Sequence, residues 1–181
     1  MKKHVIFFHG GSTEDDYHAD AKLVASLKSN LGADYAVHFP QLLNDGTPDL
    51  GRRKQISREI SERDDHLILV GHSFGASMLL ASLSEMKIVK KIAGIFLLGT
   101  PFWNGDEDWV QPFKLLPDFA TQLDKKIPLH FYQCTDDEEV PLEHFTIYKH
   151  LVPWASFHEF STGGHQFNDD LTIVTSDIKS I

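Results

Sequence analysis

The 181-residue chain contains a single cysteine, Cys134, which excludes a disulfide framework and any zinc site built on thiolates. Basic side chains are scarce as well. Seventeen lysines and arginines face twenty-six aspartates and glutamates, a formal charge of −9. Nucleic-acid binding draws on a basic footprint that releases phosphate counterions, and docking on an anionic membrane needs the same excess. The charge balance therefore argues against both partners. Long apolar runs are missing too, since no stretch approaches the ~18 residues of a membrane span. Lys2 and Lys3 are followed by only four apolar residues, 5–8, short of the roughly 7–15 of a secretory segment. The expectation is a soluble, cytoplasmic protein.

No internal repeat, low-complexity tract or linker interrupts the chain, and its length suits one domain over residues 1–181. By size scaling such a domain buries roughly 70% of its unfolded surface, enough for a core without metal or disulfide staples. Histidine is the abundant exception. Eleven are present, enough to reverse the formal charge if all were protonated.

Short apolar runs alternate with longer helical patterns. Residues 5–8, 36–39, 67–70, 92–98, 129–132 and 157–160 read as strands. Three of them (5–8, 67–70 and 92–98) are almost continuously apolar, the pattern of strands covered on both faces. Residues 20–30, 51–63, 75–86, 141–151 and 169–181 carry helical spacing. Such alternation predicts an α/β fold with about six strands in a mostly parallel sheet between helix layers. Residues 100–123 break the rhythm and hold Phe102, Trp103, Trp109, Phe113 and Phe119 with three prolines. A long excursion at the carboxyl end of a strand is where such folds build a pocket wall. Phe102, Trp103 and Trp109 are accordingly the candidate substrate-pocket residues.

The strongest motif is Gly71-His72-Ser73-Phe74-Gly75. A G-x-S-x-G pattern between an apolar strand and a helix puts its serine on a sharp, strained turn, with small residues either side to avoid clashes. A serine hydroxyl is a weak nucleophile and needs an adjacent base, itself oriented by a third group. Both partners should follow at later strand ends. His165 lies in the glycine-rich segment Thr162-Gly163-Gly164-His165 and is the candidate base, whereas His158 falls inside a strand and His144 and His150 on a helix. Asp136-Asp137-Glu138-Glu139 supplies the acid. Asp137, four residues before Pro141, is favoured to orient the imidazole, with Asp136 as the other candidate and otherwise a loop cap. Oxyanion donors would be the backbone N–H of Phe74 and that of Gly11, in the turn His9-Gly10-Gly11 after the first strand.

Together these residues resemble the α/β-hydrolase family over nearly the whole chain, and most closely its small single-domain serine esterases with little cap. The resemblance implies Ser73 as nucleophile, His165 as base, Asp137 as orienting acid, and Gly11 and Phe74 as an oxyanion hole. Family members that use aspartate as nucleophile, the dehalogenases and epoxide hydrolases, are disfavoured by Ser73. The implied activity is carboxylesterase-like: hydrolysis of a small-molecule ester or thioester through an acyl-enzyme, with no metal or organic cofactor. A peptidase, an acyltransferase, or a non-catalytic protein-binding domain of the same fold are the alternatives.

Overall fold

The computed structural model describes residues 2–63, 66–86 and 90–181. Six strands, β1 (Lys3–Phe8), β2 (Tyr35–His38), β3 (Leu67–His72), β4 (Ile92–Leu98), β5 (Leu129–Cys134) and β6 (Ser156–Phe160), form one sheet in the order β2-β1-β3-β4-β5-β6. Every strand pair is parallel, so the sheet expected to be mostly parallel is wholly so.

The continuously apolar strands serve two cores at once, because successive side chains leave a strand on opposite faces. Val5 and Phe7 of β1, Ile68 and Val70 of β3, and Phe96 and Leu98 of β4 pack with helices α2 (Ala21–Leu31) and α7 (Thr172–Lys179). Ile6, Phe8, Leu67, Leu69, Ile95 and Leu97 face the other way, against α3 (Arg52–Ser61), α4 (Phe74–Glu85) and α6 (Leu142–Leu151). Each fully buried side chain of this size contributes about 2 kcal/mol. The outer strands β2 and β6 have no fully buried position, as befits the two edges.

Two elements differ from the sequence expectation. Glu14–Ala19 forms a short helix, α1, with no buried residue and hence no apolar stripe to announce it. Its signal is a capping box instead: Thr13 accepts from the Asp16 amide while the Asp16 carboxylate reaches back to Thr13. The last helix begins at Thr172 and not at 169, because Phe167, Asn168 and Asp169 all hold positive φ in a tight turn. Residues 100–123 contribute a single 3₁₀ turn at Gln111–Phe113 and the four-residue helix α5 (Phe119–Gln122).

After β1 the chain steps outward to β2, then crosses back to β3 on the other side. That reversal opens a crevice at the carboxyl ends of β1 and β3. Register makes the ends level: Phe8 pairs with Gly71, His72 with Leu98, and Leu98 with Tyr132. Loops from four strands therefore meet at one place.

Candidate active site

Ser73 sits between β3 and α4 with φ 51° and ψ −124°, a conformation that L-residues adopt only under constraint. The constraint is visible. Its N–H donates to the Leu98 carbonyl at 2.8 Å, tying the turn to β4. The flanking glycines are required by contact. A Cβ on Gly71 would stand 2.6 Å from the Ala76 Cα, and one on Gly75 would stand 2.4 Å from the carbonyl oxygens of both Phe8 and His9.

Ser73 and His165 line one cleft of about 510 Å³. His165 is buried, and its Nδ1 lies 3.0 Å from each carboxylate oxygen of Asp137. Asp137 also accepts from the amides of Glu139 and Val140 at 2.9 and 2.8 Å and from Gln133 Nε2 at 2.8 Å. Burial by itself would raise its pKa. The His165 ring and the two amides outweigh that, and the carboxyl lies below the usual aspartate value.

Each acidic residue of the 136–138 run has its own partner. Asp136 accepts from the amides of Gly163 and Gly164 at 3.2 and 2.9 Å, Asp137 takes the imidazole, and Glu138 accepts from the His165 amide at 3.1 Å. One carboxylate thus meets the ring while its neighbours hold the backbone that carries it. Gly99, absent from the sequence reading, lets the ring seat: a Cβ there would lie 3.2 Å from His165 Cε1 and 3.4 Å from Asp137 Oδ2, at a φ of 52°.

The Gly10–Gly11 turn is gripped from behind. Gly10 N–H donates to Asp20 Oδ2 at 2.8 Å, and the Gly11 carbonyl accepts from Arg52 Nη2 at 2.8 Å. Asp16 Oδ2 gathers the amides of Ser12 and Thr13 at 2.8 and 2.9 Å. Arg52 is fully buried, which lowers its pKa to about 10. His9 braces the same turn as a neutral ring. Its Nε2 accepts from Leu42 N–H, so Nδ1 carries the proton and donates to the Gly10 carbonyl at 2.6 Å; burial lowers its pKa. Among the described residues the amides of Gly11 and Phe74 have no hydrogen-bond partner, and both residues line the cleft.

The aromatic wall corrects the sequence reading in part. Trp103 lines the cleft, together with Phe113, but Phe102 and Trp109 do not. Phe102 turns its ring edge-on to buried Tyr148, and its amide donates to His144 Nδ1. Trp109 is 62% exposed, with one edge against Trp103. A segment without a period offers no way to tell from sequence which rings face inward. The remaining lining includes Leu50, Pro101 and Val140, with Asp16, Glu139 and His144 as polar members.

Outside the cleft, one group among the described residues brings three metal-type donors within 4.8 Å of one another: His130, His158 and Asp177. His130 Nδ1 and His158 Nε2 face each other at 3.2 Å, with ring centroids 5.5 Å apart and planes 17° from parallel. That combination puts the rings edge to edge, sharing one proton. The His130 ring stacks on Phe96 and the His158 ring on Tyr132. None of the described helices is long and apolar enough to cross a membrane.

The sequence profile of the alpha/beta hydrolase family matches residues 5–172. No curated protein matches the sequence. Among solved structures, an esterase from Exiguobacterium antarcticum is similar with a TM-score of 0.72 at 13% identity, over 98% of this chain and 91% of its own. The thioesterase domain from the curacin biosynthetic pathway gives 0.71 at 17%, over 99% and 92%. A methylesterase from Arabidopsis gives 0.67 at 16%, over 98% of each chain. At these identities the neighbours speak to the fold, which is theirs along its whole length. Taken with the family match over most of its residues, the chain belongs to the alpha/beta hydrolase family.

Proposed function

We propose that this protein hydrolyses a carboxylic ester or thioester of a small molecule by two-step acyl transfer, with Ser73 as nucleophile, His165 as base and Asp137 as the acid that orients it. The observation that carries the reading is the meeting of a strained Ser73 with His165 in one cleft, the imidazole held through Nδ1 by both oxygens of Asp137. With Nδ1 so engaged, Nε2 is the nitrogen left to serve the serine.

Ser73 Oγ attacks the carbonyl carbon while His165 Nε2 takes its proton. The carbonyl oxygen becomes an oxyanion, for which the Gly11 and Phe74 amides are the donors. Collapse expels the alcohol or thiol, which receives the proton from His165 and leaves the acyl group on Ser73. Water then attacks the acyl carbon, again deprotonated by His165, and the acid departs as Ser73 recovers its proton. Asp137 stays ionised throughout and stabilises the imidazolium formed in each step.

The cleft volume and its apolar members Leu50, Pro101, Trp103, Phe113 and Val140 support a short acyl or aryl group. Carboxylates of Asp16 and Glu139 in the same lining disfavour an anionic one.

The test is hydrolysis of p-nitrophenyl esters of two to twelve carbons, with Ser73→Ala in parallel, alongside labelling by a fluorophosphonate. Turnover and labelling that both vanish in Ser73→Ala are expected, with rates highest at short chain lengths. Equal rates from the two proteins, or a wild type inert to both reagents, would overturn the reading.

A further inference from the structure

His72, the residue before the proposed nucleophile, is fully buried, and both its ring nitrogens are engaged. Nδ1 lies 2.8 Å from Asp20 Oδ1 and Nε2 lies 3.0 Å from the His165 carbonyl oxygen. A carbonyl can only accept, so Nε2 carries a proton. A second proton lies between Nδ1 and the carboxylate, and the far greater proton affinity of an imidazole puts it on the ring. His72 is therefore an imidazolium, paired with an Asp20 carboxylate that is itself 1% exposed.

Asp20 has further partners. Its Oδ2 accepts from the Gly10 amide at 2.8 Å, and its Oδ1 from Gln166 Nε2 at 3.3 Å. One ion pair thus touches all three arms of the cleft: the Gly10–Gly11 turn through Asp20, the serine turn through the chain itself, and the base loop through the carbonyl of His165 and the side chain of Gln166.

We propose that the buried Asp20–His72 ion pair is a positioning device that holds the oxyanion turn, the nucleophile and the base in mutual register, a role that rests on the hydrolase reading above. The groups facing His72 are Asp20, His165, Gln166 and, through space, Asp137. Burial disfavours the charged ring, yet the two carboxylates and the His165 carbonyl more than offset it and hold the His72 pKa above its ordinary value. Asp20 is displaced the opposite way, below the usual aspartate range, by His72 and the Gly10 amide acting against burial. An ion pair suits this task better than neutral groups. Its charge-assisted bonds are short and strong, and neither partner can leave without stranding a buried charge.

The test has two arms on the full chain. In the first, nitrogen-15 NMR of the histidine rings is recorded from pH 6 to 8.5. One ring still protonated on both nitrogens above pH 6.5, and missing from His72→Gln, is expected; a His72 that is neutral at pH 6.5 overturns the proposal, whatever the enzyme does. In the second, p-nitrophenyl ester kinetics are compared across Asp20→Asn, Asp20→Glu and the double variant Asp20→Asn/His72→Gln, in which no buried charge is left to strand. A kcat lower by roughly a hundredfold in Asp20→Asn and in the double variant is expected, with KM within about twofold and partial recovery in Asp20→Glu. Wild-type kcat in a folded double variant overturns the positioning role. If the wild type shows no turnover that depends on Ser73, the hydrolase reading fails instead. Amide exchange at Gly10 then tests the clamp: fast exchange in Asp20→Asn supports it, and unchanged protection overturns it.

Discussion

Asp137 meets His165 with both carboxylate oxygens at once, each 3.0 Å from Nδ1, across 28 residues of chain. The ring cannot swing toward either oxygen without losing the other, so its direction is set as well as its tautomer. Asp136 lies one residue away and spends both its oxygens on backbone amides of the glycine loop.

The two aspartates should therefore separate in kinetics. Asp137→Asn is expected to lower kcat by about three to four orders of magnitude, because an amide facing Nδ1 stabilises the wrong tautomer and no imidazolium. Asp136→Ala should cost less than about tenfold in kcat and about 1–2 kcal/mol of stability, through two lost bonds to the loop. Steady-state kinetics with urea titration of both variants checks the contrast, and a reversed order would reassign the acid.

Glycine substitutions should rank by what a Cβ meets. Gly32 and Gly75 are both helix-terminal. A Cβ at Gly32 finds nothing within 4 Å, whereas one at Gly75 strikes two backbone carbonyl oxygens that cannot give way. Gly32→Ala is expected to cost about 1–3 kcal/mol from its backbone conformation alone, φ 78° with ψ −163°. Gly75→Ala should lose more than about 3 kcal/mol or fail to accumulate as folded protein. Thermal melts of the pair provide the measurement.

Stability should pass through a maximum near neutral pH. His9, His38, His130 and His144 have pKa values lowered from 6.5, in each case first by burial. The unfolded chain then binds more protons than the native one, so stability falls as pH drops below about 6.5 toward those native values. Asp20 and Asp137, also lowered, extend the loss at still lower pH. His72 has the opposite sign. Its raised pKa contributes stability that is complete below about 6.5 and is lost as pH rises through the native value. Fully buried His9 alone gives an acid-side slope of up to roughly 1.4 kcal/mol per pH unit. Urea midpoints at pH 5, 6.5 and 8.5 should show the steeper decline on the acid side, and His72→Gln should flatten the alkaline one.

Among the tryptophans, only Trp103 lines the cleft. Trp103→Ala should change the preferred acyl length and raise KM about tenfold for the best p-nitrophenyl ester. It also frees Ser77 Oγ of its indole donor, so a modest stability loss is expected. Trp109→Ala should leave KM within about twofold. Equal effects at both positions would place the acyl group elsewhere.

Much of the architecture could be read from residue order. Runs such as 67–70 are apolar at every position because both faces of a central strand are covered, and that requirement is local in the chain. The serine turn was legible as well, since the motif is contiguous and the clash that requires Gly71 comes from Ala76 five residues on, although Gly75 is required by the distant carbonyls of Phe8 and His9. The short helix α1 escaped because it buries nothing and so has no period to display. Asp20 and Gln133 escaped for a different reason. One reads as a helix start and the other falls just past the 129–132 strand, and their partners His72 and Asp137 say nothing locally about them.

Local chemistry written in the residue order therefore determined the strands, the strained serine turn and the glycine-rich histidine loop of this protein. Only the tertiary structure decided which carboxylate meets His165, which tryptophan faces the cleft, and that Asp20 and His72 join across 52 residues. These contacts depend on parallel strands ending level and on the crevice where the sheet reverses direction. Packing of the two cores sets that register, and no short stretch of sequence carries it.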